Sequence, residues 1–493
     1  MHTDIPADDD SAASDHVSLK RTLGLFSAIA IAVGSMIGSG IFVVSADISR
    51  LVGTSGLLIL VWVVTGVITV LGAVSYGKLA AHYPRAGGQY VFLREAWGDC
   101  PAFLYGWSLF TVIQSGTLAA VAVAFAKYAG VLFPVINSTS IVAVGAFDLS
   151  TQKILSVLTL VALTAYNATG IQNGALLQNI FTSLKVLALI LLIVIGLGFG
   201  HDLFSGVQDW SLAIPQNHPV KGNWMTLVVF ASVGALFSLD AWNYATFISA
   251  EVKSPEKTVP RAMFFGASTV VLLYIIANFA YLNLLPLSQI QNASEDRVAT
   301  AALDTIFPGL GVGIMAIIIL ISTFGCLNGL MLAAARVFYV MAKDRLLFDY
   351  FGRLNPKTQS PNFSLWAQCV WASVLALSGT YSQLLEYTVF TGLLFYITTM
   401  LGLLKLAKHE PKALQMETFA QRSVPILYIC ATSLFAFFLL FGDILTGDFV
   451  SKIAAGEILS TKFFTAVAGL SLTMLGLPIY YFWKRKKTDA LAP

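Results

Sequence analysis

The chain has 493 residues, 57% hydrophobic and 11% charged, with a mean hydropathy of +0.77. Soluble domains carry about 25% charged residues, so this composition excludes one and predicts an all-α polytopic membrane protein. The net charge is +3 and no basic run is interleaved with aromatics, which excludes a nucleic-acid-binding protein.

Residues 1–20 form a polar tail, acidic at Asp4, Asp8, Asp9, Asp10 and Asp15, without the basic start of a signal peptide. The spacing predicts a disordered cytoplasmic tail. Apolar stretches of about 20 residues, enough to cross a bilayer, follow at 23–49, 55–80, 101–128, 152–170, 177–199 and 223–249. Six more lie at 262–285, 310–340, 363–380, 384–407, 424–442 and 462–483. An even count of about twelve puts both termini on one side. On that side fall 21 of the 29 Lys and Arg residues, including Lys20, Arg21, Lys78, Arg261 and the run at 484–487. The positive-inside rule makes it the cytoplasm.

The first span contains Gly34-Ser35-Met36-Ile37-Gly38-Ser39-Gly40. A helical glycine costs about 1 kcal/mol relative to alanine, and lipid has no water for backbone groups freed by a break. A break here is expected to face a cavity and bind a solute through free amides, whose positive helix end attracts a carboxylate. The spacing Gly34-x-x-x-Gly38 also fits close helix packing. The sixth span carries a second interruption, Gly234-Ala235-Leu236-Phe237-Ser238-Leu239-Asp240-Ala241-Trp242. An offset of five spans gives the two units opposite topology, and paired interruptions in inverted halves point to a secondary transporter with a midplane site. The first repeat is expected at 21–200, the second at 222–408, two additional helices at 423–483 and a cytoplasmic tail at 484–493.

Carbonyls of Phe237 and Ser238 at the end of the first half-helix suit an ammonium group, so the two breaks together suit a zwitterion. Phe237 could close over the solute. Asp240 is expected to cap the second half-helix through its free amides; direct proton or substrate handling is the alternative. Lys185, about eight residues into the fifth span, either snorkels to the surface or pairs with carbonyls in the bundle. Tyr105, Asn328 and Tyr396 are candidate pocket liners. All six histidines fall in tails or loops, and the four cysteines form no Cys-x-x-Cys pair. Neither a metal site nor a cofactor is expected, nor an enzyme's nucleophile.

These motifs resemble the amino acid–polyamine–organocation superfamily over about residues 20–485, and in particular bacterial members of its L-amino-acid transporter branch. G-S-M-I-G-S-G-I-F at 34–42 is similar to the family's carboxylate-binding motif, and Y-P-R-A-G-G-Q-Y at 83–90 to its inner-loop motif. G-A-L-F-S-L-D-A-W-N at 234–243 resembles the sixth-helix motif, and E-V-K-S-P-E-K-T-V-P-R-A at 251–262 the loop after it. The resemblance implies a five-plus-five inverted repeat (LeuT-like) with alternating access and broken first and sixth helices. It assigns the backbone of Ser35, Gly38, Ser39 and Gly40 to the substrate carboxylate, with Met36, Ile37 and Asp240 also in the substrate site, the carbonyls of Phe237 and Ser238 to its amine, and Phe237 to the gate. It also places Lys185 where other members hold sodium. Asp240-Ala241 departs from the two glycines that several branch members carry. The link at about 129–151 has no cysteine to bond a glycoprotein heavy chain, so the protein is expected to work alone, in a bacterial inner membrane.

The function expected is sodium-independent transport of a neutral L-amino acid by exchange. Proton-coupled uptake, with Lys185 titrating, and cationic amino acid or polyamine antiport are the alternatives.

Overall fold

Glycine and serine end the first helix in mid-span. In the computed structural model, α1 (Leu25–Met36) stops where Ile37 turns extended, and α2 (Gly40–Val52) starts at a 42° bend. The structure describes residues 19–136, 140–144, 147–200, 207–215, 224–378, 381–446 and 462–489. The expected tail therefore lies outside the described residues up to position 18.

The elements then run α3 (Ser55–His82), α4 (Gln89–Trp97), α5 (Asp99–Ser108), a π-turn at Leu109–Ile113, and α6 (Gln114–Leu132). A short antiparallel hairpin, β1 (Ser140–Val144) and β2 (Phe147–Ser150), leads to α7 (Thr151–Asn167) and α8 (Ile171–Phe199). Next come α9 (Trp224–Ser238), α10 (Tyr244–Phe247), α11 (Pro255–Leu284), α12 (Leu287–Gln291), α13 (Val298–Ile306) and α14 (Gly311–Lys343). The chain closes with α15 (Asn362–Ser378), α16 (Tyr381–His409), α17 (Phe419–Thr446), α18 (Lys462–Met474) and α19 (Gly476–Asp489). The stretch 484–489, expected as tail, is thus still helical. The link after α3 is more than a turn, because α4 begins at Gln89 directly after Gly87 and Gly88, both at positive φ.

Local chemistry sets several boundaries. The Thr54 hydroxyl accepts from Leu57 N at 3.2 Å to start α3, the usual N-cap bond. Gly53, at φ 77°, ends α2 in the left-handed form that glycine adopts without strain. Pro255 opens α11, where its missing N–H costs nothing.

Among the described residues eight helices are long and apolar enough to cross a membrane, nine if α1 and α2 count as one bent span. The protein is a polytopic helical membrane protein. α3 lies along α11, α2 along α9, and α14 packs against α1, α6 and α8. Two buried charges join that core: Arg336 Nε donates to Glu251 Oε2 at 2.8 Å, each side chain 1% exposed. Such a pair is costly to break because it leaves one charge buried alone. Beside it the segment entering α1 pairs with the segment leaving α10. Leu23 and Val252 form a parallel bridge, Thr22 N and Leu23 N both donate to Glu251 O at 2.9 Å, and Lys253 N donates to Leu23 O at 2.8 Å.

At the same end Arg94 bridges Asp99 (2.9 Å) and Asp344 (2.6 Å). At the opposite end Arg50 pairs with Asp296 at 2.8 Å and Lys127 with Glu295 at 2.9 Å. The Lys127 bond holds the Glu295 carboxyl below its usual range.

Candidate functional site

The unwound residues between α1 and α2 have carbonyls that the helix no longer serves. Side chains from α8, α11 and α14 serve them. Lys185 Nζ donates to Gly34 O and Ile37 O at 2.7 Å each, and to Ser322 O at 3.0 Å. Ser322 Oγ donates to Gly38 O at 2.8 Å, Cys326 Sγ to Ser35 O at 3.1 Å, and Tyr274 OH to Met36 O at 3.4 Å. All five carbonyls from Gly34 to Gly38 therefore have donors. Lys185 is residue 15 of the 29 in α8 and 1% exposed. Its three ammonium donors are all used, so it does not snorkel.

The amides are left differently. Those of Gly38, Ser39 and Gly40 stand ahead of the first turn of α2, which closes when Phe42 N donates to Ser39 O at 3.1 Å. Leading amides of a helix lack intrahelical acceptors and carry its positive end. The break is thus saturated in acceptors and open in donors, which favours an anion.

The second interruption lies later than the glycine suggests. Gly234 sits inside α9, where a Cβ would stand 2.6 Å from Val44 Cγ1, so it lets α2 and α9 approach closely. Unwinding occurs after Ser238, with Asp240 N donating to Phe237 O at 3.2 Å and Ala241 at φ 68°. That left-handed geometry costs a residue with a Cβ about 1–2 kcal/mol. Asp240 is not the cap of the next helix: Asn243 stands at the N-cap of α10, with no side-chain cap bond. Its Oδ1 instead accepts from Tyr396 OH at 2.6 Å.

A small cavity lies between the two breaks. Of the residues expected there, Ser35, Met36, Gly38, Gly40, Phe237, Ser238 and Asp240 line it. Ile37 and Ser39 do not: the Ile37 carbonyl turns to Lys185, and Ser39 is the residue before α2. Ser35 Oγ is buried without a hydrogen bond among the described residues. A second small cavity is bordered by Phe237 and Asp240 as well, so these two residues face both. Tyr396 lines this second one, stacked on Trp242 at 5.3 Å.

Two expected liners lie elsewhere. Tyr105 packs edge-on against Phe395 at 5.3 Å and borders neither cavity. Asn328 is consumed by a buried network, accepting from Asn167 Nδ2 at 2.9 Å and donating to Gln178 Oε1 at 2.8 Å and Gly174 O at 3.0 Å. Sequence reasoning missed Thr117, Val121, Tyr244, Cys326 and Leu330 in the first cavity wall. Tyr244 is fixed there by its hydroxyl, which donates to Gln114 Oε1 at 2.5 Å, while Gln114 Nε2 holds Leu330 O at 2.8 Å. The residue after the recognised motif was the one available hint.

The profile of one family, described as amino acid permease, matches residues 23–472. The chain belongs to the amino acid permease family. It is therefore a transporter of the amino acid–polyamine–organocation superfamily and not an enzyme. This permease is 28% identical over 489 residues to the large neutral amino acids transporter small subunit 2 of Mus musculus, covering 98% of this chain and 85% of that one. It is 29% identical to the Asc-type amino acid transporter 1 of the same organism, over 96% of this chain and 84% of the relative. The serine/threonine exchanger SteT of Bacillus subtilis (strain 168) is 27% identical over 96% of this chain and 98% of its own length.

Proposed function

We propose that this permease is a sodium-independent exchanger of neutral L-amino acids that works by alternating access. The observation that carries the reading is the asymmetry of the first break, whose carbonyls are filled by side chains while Gly38 and Gly40, at the leading amides of α2, line the cavity. The substrate carboxylate docks on the amides of Gly38, Ser39 and Gly40, beside the free Ser35 hydroxyl. Its ammonium meets the carbonyls of Phe237 and Ser238, at the negative end of α9. Phe237, the wall between the two cavities, is the gate. Lys185 supplies the positive charge that a sodium ion would otherwise bring to Gly34, Ile37 and Ser322, which supports sodium independence.

The architecture proposed is the five-plus-five inverted repeat followed by two helices, with units at 21–200, 222–408 and 423–483. Supporting it, helices occur at every expected span, and the first and sixth spans are both interrupted. With 21 basic residues on one side and seven on the other, both termini face the cytoplasm, in a bacterial inner membrane. The cysteine-free link at 129–151 supports a transporter that needs no disulfide-linked heavy chain.

A second reading, cationic amino acid or polyamine antiport, draws on Asp240. This acid borders both cavities and forms no ion pair among the described residues. A buried carboxylate without a cation is costly, and a positively charged side chain would relieve it. Proton-coupled uptake is the remaining alternative.

Uptake into proteoliposomes preloaded with one amino acid at a time separates these. Exchange requires a neutral amino acid inside and no sodium. Uptake into empty vesicles under an imposed pH gradient means proton coupling, and acceleration only by internal arginine or putrescine means the second reading.

A further inference from the structure

A groove opens on the flank of the bundle, between α3, α11 and the segment after α16, and shares no lining residue with the substrate cavities. Its wall grades from charged to apolar along α11: Glu256 and Arg261 come first, then Phe264 and Phe265, which are 41% and 51% exposed. Four residues of helix separate Arg261 from Phe265, about 6 Å. This is the depth over which a bilayer passes from headgroup to acyl chain. Lys78 enters from α3 and donates to Gln415 O at 3.1 Å, Gln421 O at 3.3 Å and Met416 Sδ at 3.2 Å. Those acceptors are all neutral. The Arg261 guanidinium forms neither a hydrogen bond nor an ion pair among the described residues. Lys253, Lys257 and Lys412 are exposed close by in sequence, as are the acids Glu256, Glu410 and Glu417, so with Lys78 and Arg261 the cations outnumber the acids five to three.

We propose that this groove binds an acidic phospholipid, its phosphate held by Lys78 and Arg261 and the upper parts of its acyl chains laid on Phe264, Phe265 and Val74. Two cations without a carboxylate partner, set directly above exposed aromatics, match a phosphodiester carried on hydrocarbon. Basic pockets between spanning helices at the cytoplasmic surface select acidic headgroups in this way. A soluble acidic peptide would satisfy the cations and leave the phenylalanines uncovered. The inference rests on the orientation proposed above but not on the transported substrate.

The test is native mass spectrometry of the full-length, delipidated protein titrated with phosphatidylglycerol or phosphatidylethanolamine. The wild type retains one phosphatidylglycerol in preference to phosphatidylethanolamine. Arg261→Glu weakens that retention more than the roughly fivefold expected from losing one cation, and Lys78→Gln weakens it about fivefold. Because Lys78 also holds the 415–421 segment, Val74→Trp provides an independent arm: it fills the groove, spares both cations, and abolishes the preference. Equal retention of the two lipids, or unchanged retention in Arg261→Glu and Val74→Trp, overturns the proposal. Displacement of phosphatidylglycerol by glycerol 3-phosphate also overturns it, by identifying a site for soluble phosphates. Lipid retention is read without any uptake, so failure here leaves the transport reading intact, and the reverse also holds.

Discussion

Gly40 and Ser238 touch where the two broken helices cross. A Cβ on Gly40 would lie 2.1 Å from Ser238 Oγ and 3.2 Å from its Cα, whereas one on Gly38 would meet only Cys326 Sγ, at 3.5 Å. Gly40→Ala must therefore part α2 from α9, an overpacking cost of about 1–3 kcal/mol. Gly38→Ala needs no such movement, since its methyl group sits at ordinary contact distance. We expect Gly40→Ala to lower the thermal midpoint and suppress uptake, and Gly38→Ala to keep the wild-type midpoint. A large residue at Gly38 should leave a folded protein that no longer binds substrate, read by scintillation proximity. Wild-type binding in Gly38→Phe would remove the carboxylate assignment.

Lys185→Met retains bulk and removes one donor from each of three buried carbonyls, of which Ile37 O keeps the Ser322 hydroxyl at 3.2 Å. An unsatisfied buried polar group costs about 1–3 kcal/mol, so the variant should unfold at a lower temperature and lose exchange. Sodium is the informative addition. If Lys185 stands in for the ion, wild-type exchange is the same in sodium and choline buffers. Full exchange by Lys185→Met in choline would refute that role.

Ala241 holds a conformation that glycine adopts freely. Relieving about 1–2 kcal/mol of strain outweighs the roughly 0.4–1 kcal/mol that glycine costs through the unfolded chain. Ala241→Gly should thus stabilise the protein by up to about 1 kcal/mol, seen as a higher thermal midpoint with transport retained. A lower midpoint would mean that the Ala241 methyl makes compensating contacts.

The Lys127–Glu295 bridge yields a pH dependence. Glu295 has a depressed pKa in the folded protein, so its stabilising contribution is complete above the unfolded value of about 4.3. It is lost as pH falls through the lower folded value. Thermal midpoints of the wild type and Lys127→Ala should differ at neutral pH and converge under acid. Half-exposed as the Glu295 side chain is, the difference is small and shrinks in high salt. A gap that widens under acid would reverse the sign argued here.

The first break was legible in the sequence because glycine and serine are conspicuous in an apolar run, and Lys185 because lipid makes a lone cation conspicuous. The second break was legible as well, since α9 ends at Ser238 where the first half-helix was expected to stop; only Gly234 misled, because it marks close packing against Val44 and not the unwinding. Thr117 and Val121 carry no mark at all. They reach the cavity past the π-turn at Leu109–Ile113, whose extra residue per turn rotates everything after it. Asn328 misled because a buried amide looks the same from sequence whether it faces a ligand or, as here, neighbouring amides. In Asp240 the reading had the correct residue and the wrong partner, since a phenol from α16, 156 positions away, takes its carboxylate.

The pairing of Leu23 with Val252 yokes the entrance of the first broken helix to the exit of the second. Neither end can swing outward alone without tearing three main-chain bonds and dragging on the Glu251 that Arg336 grips. In the alternating-access cycle proposed above, opening on that face would then move both broken helices together.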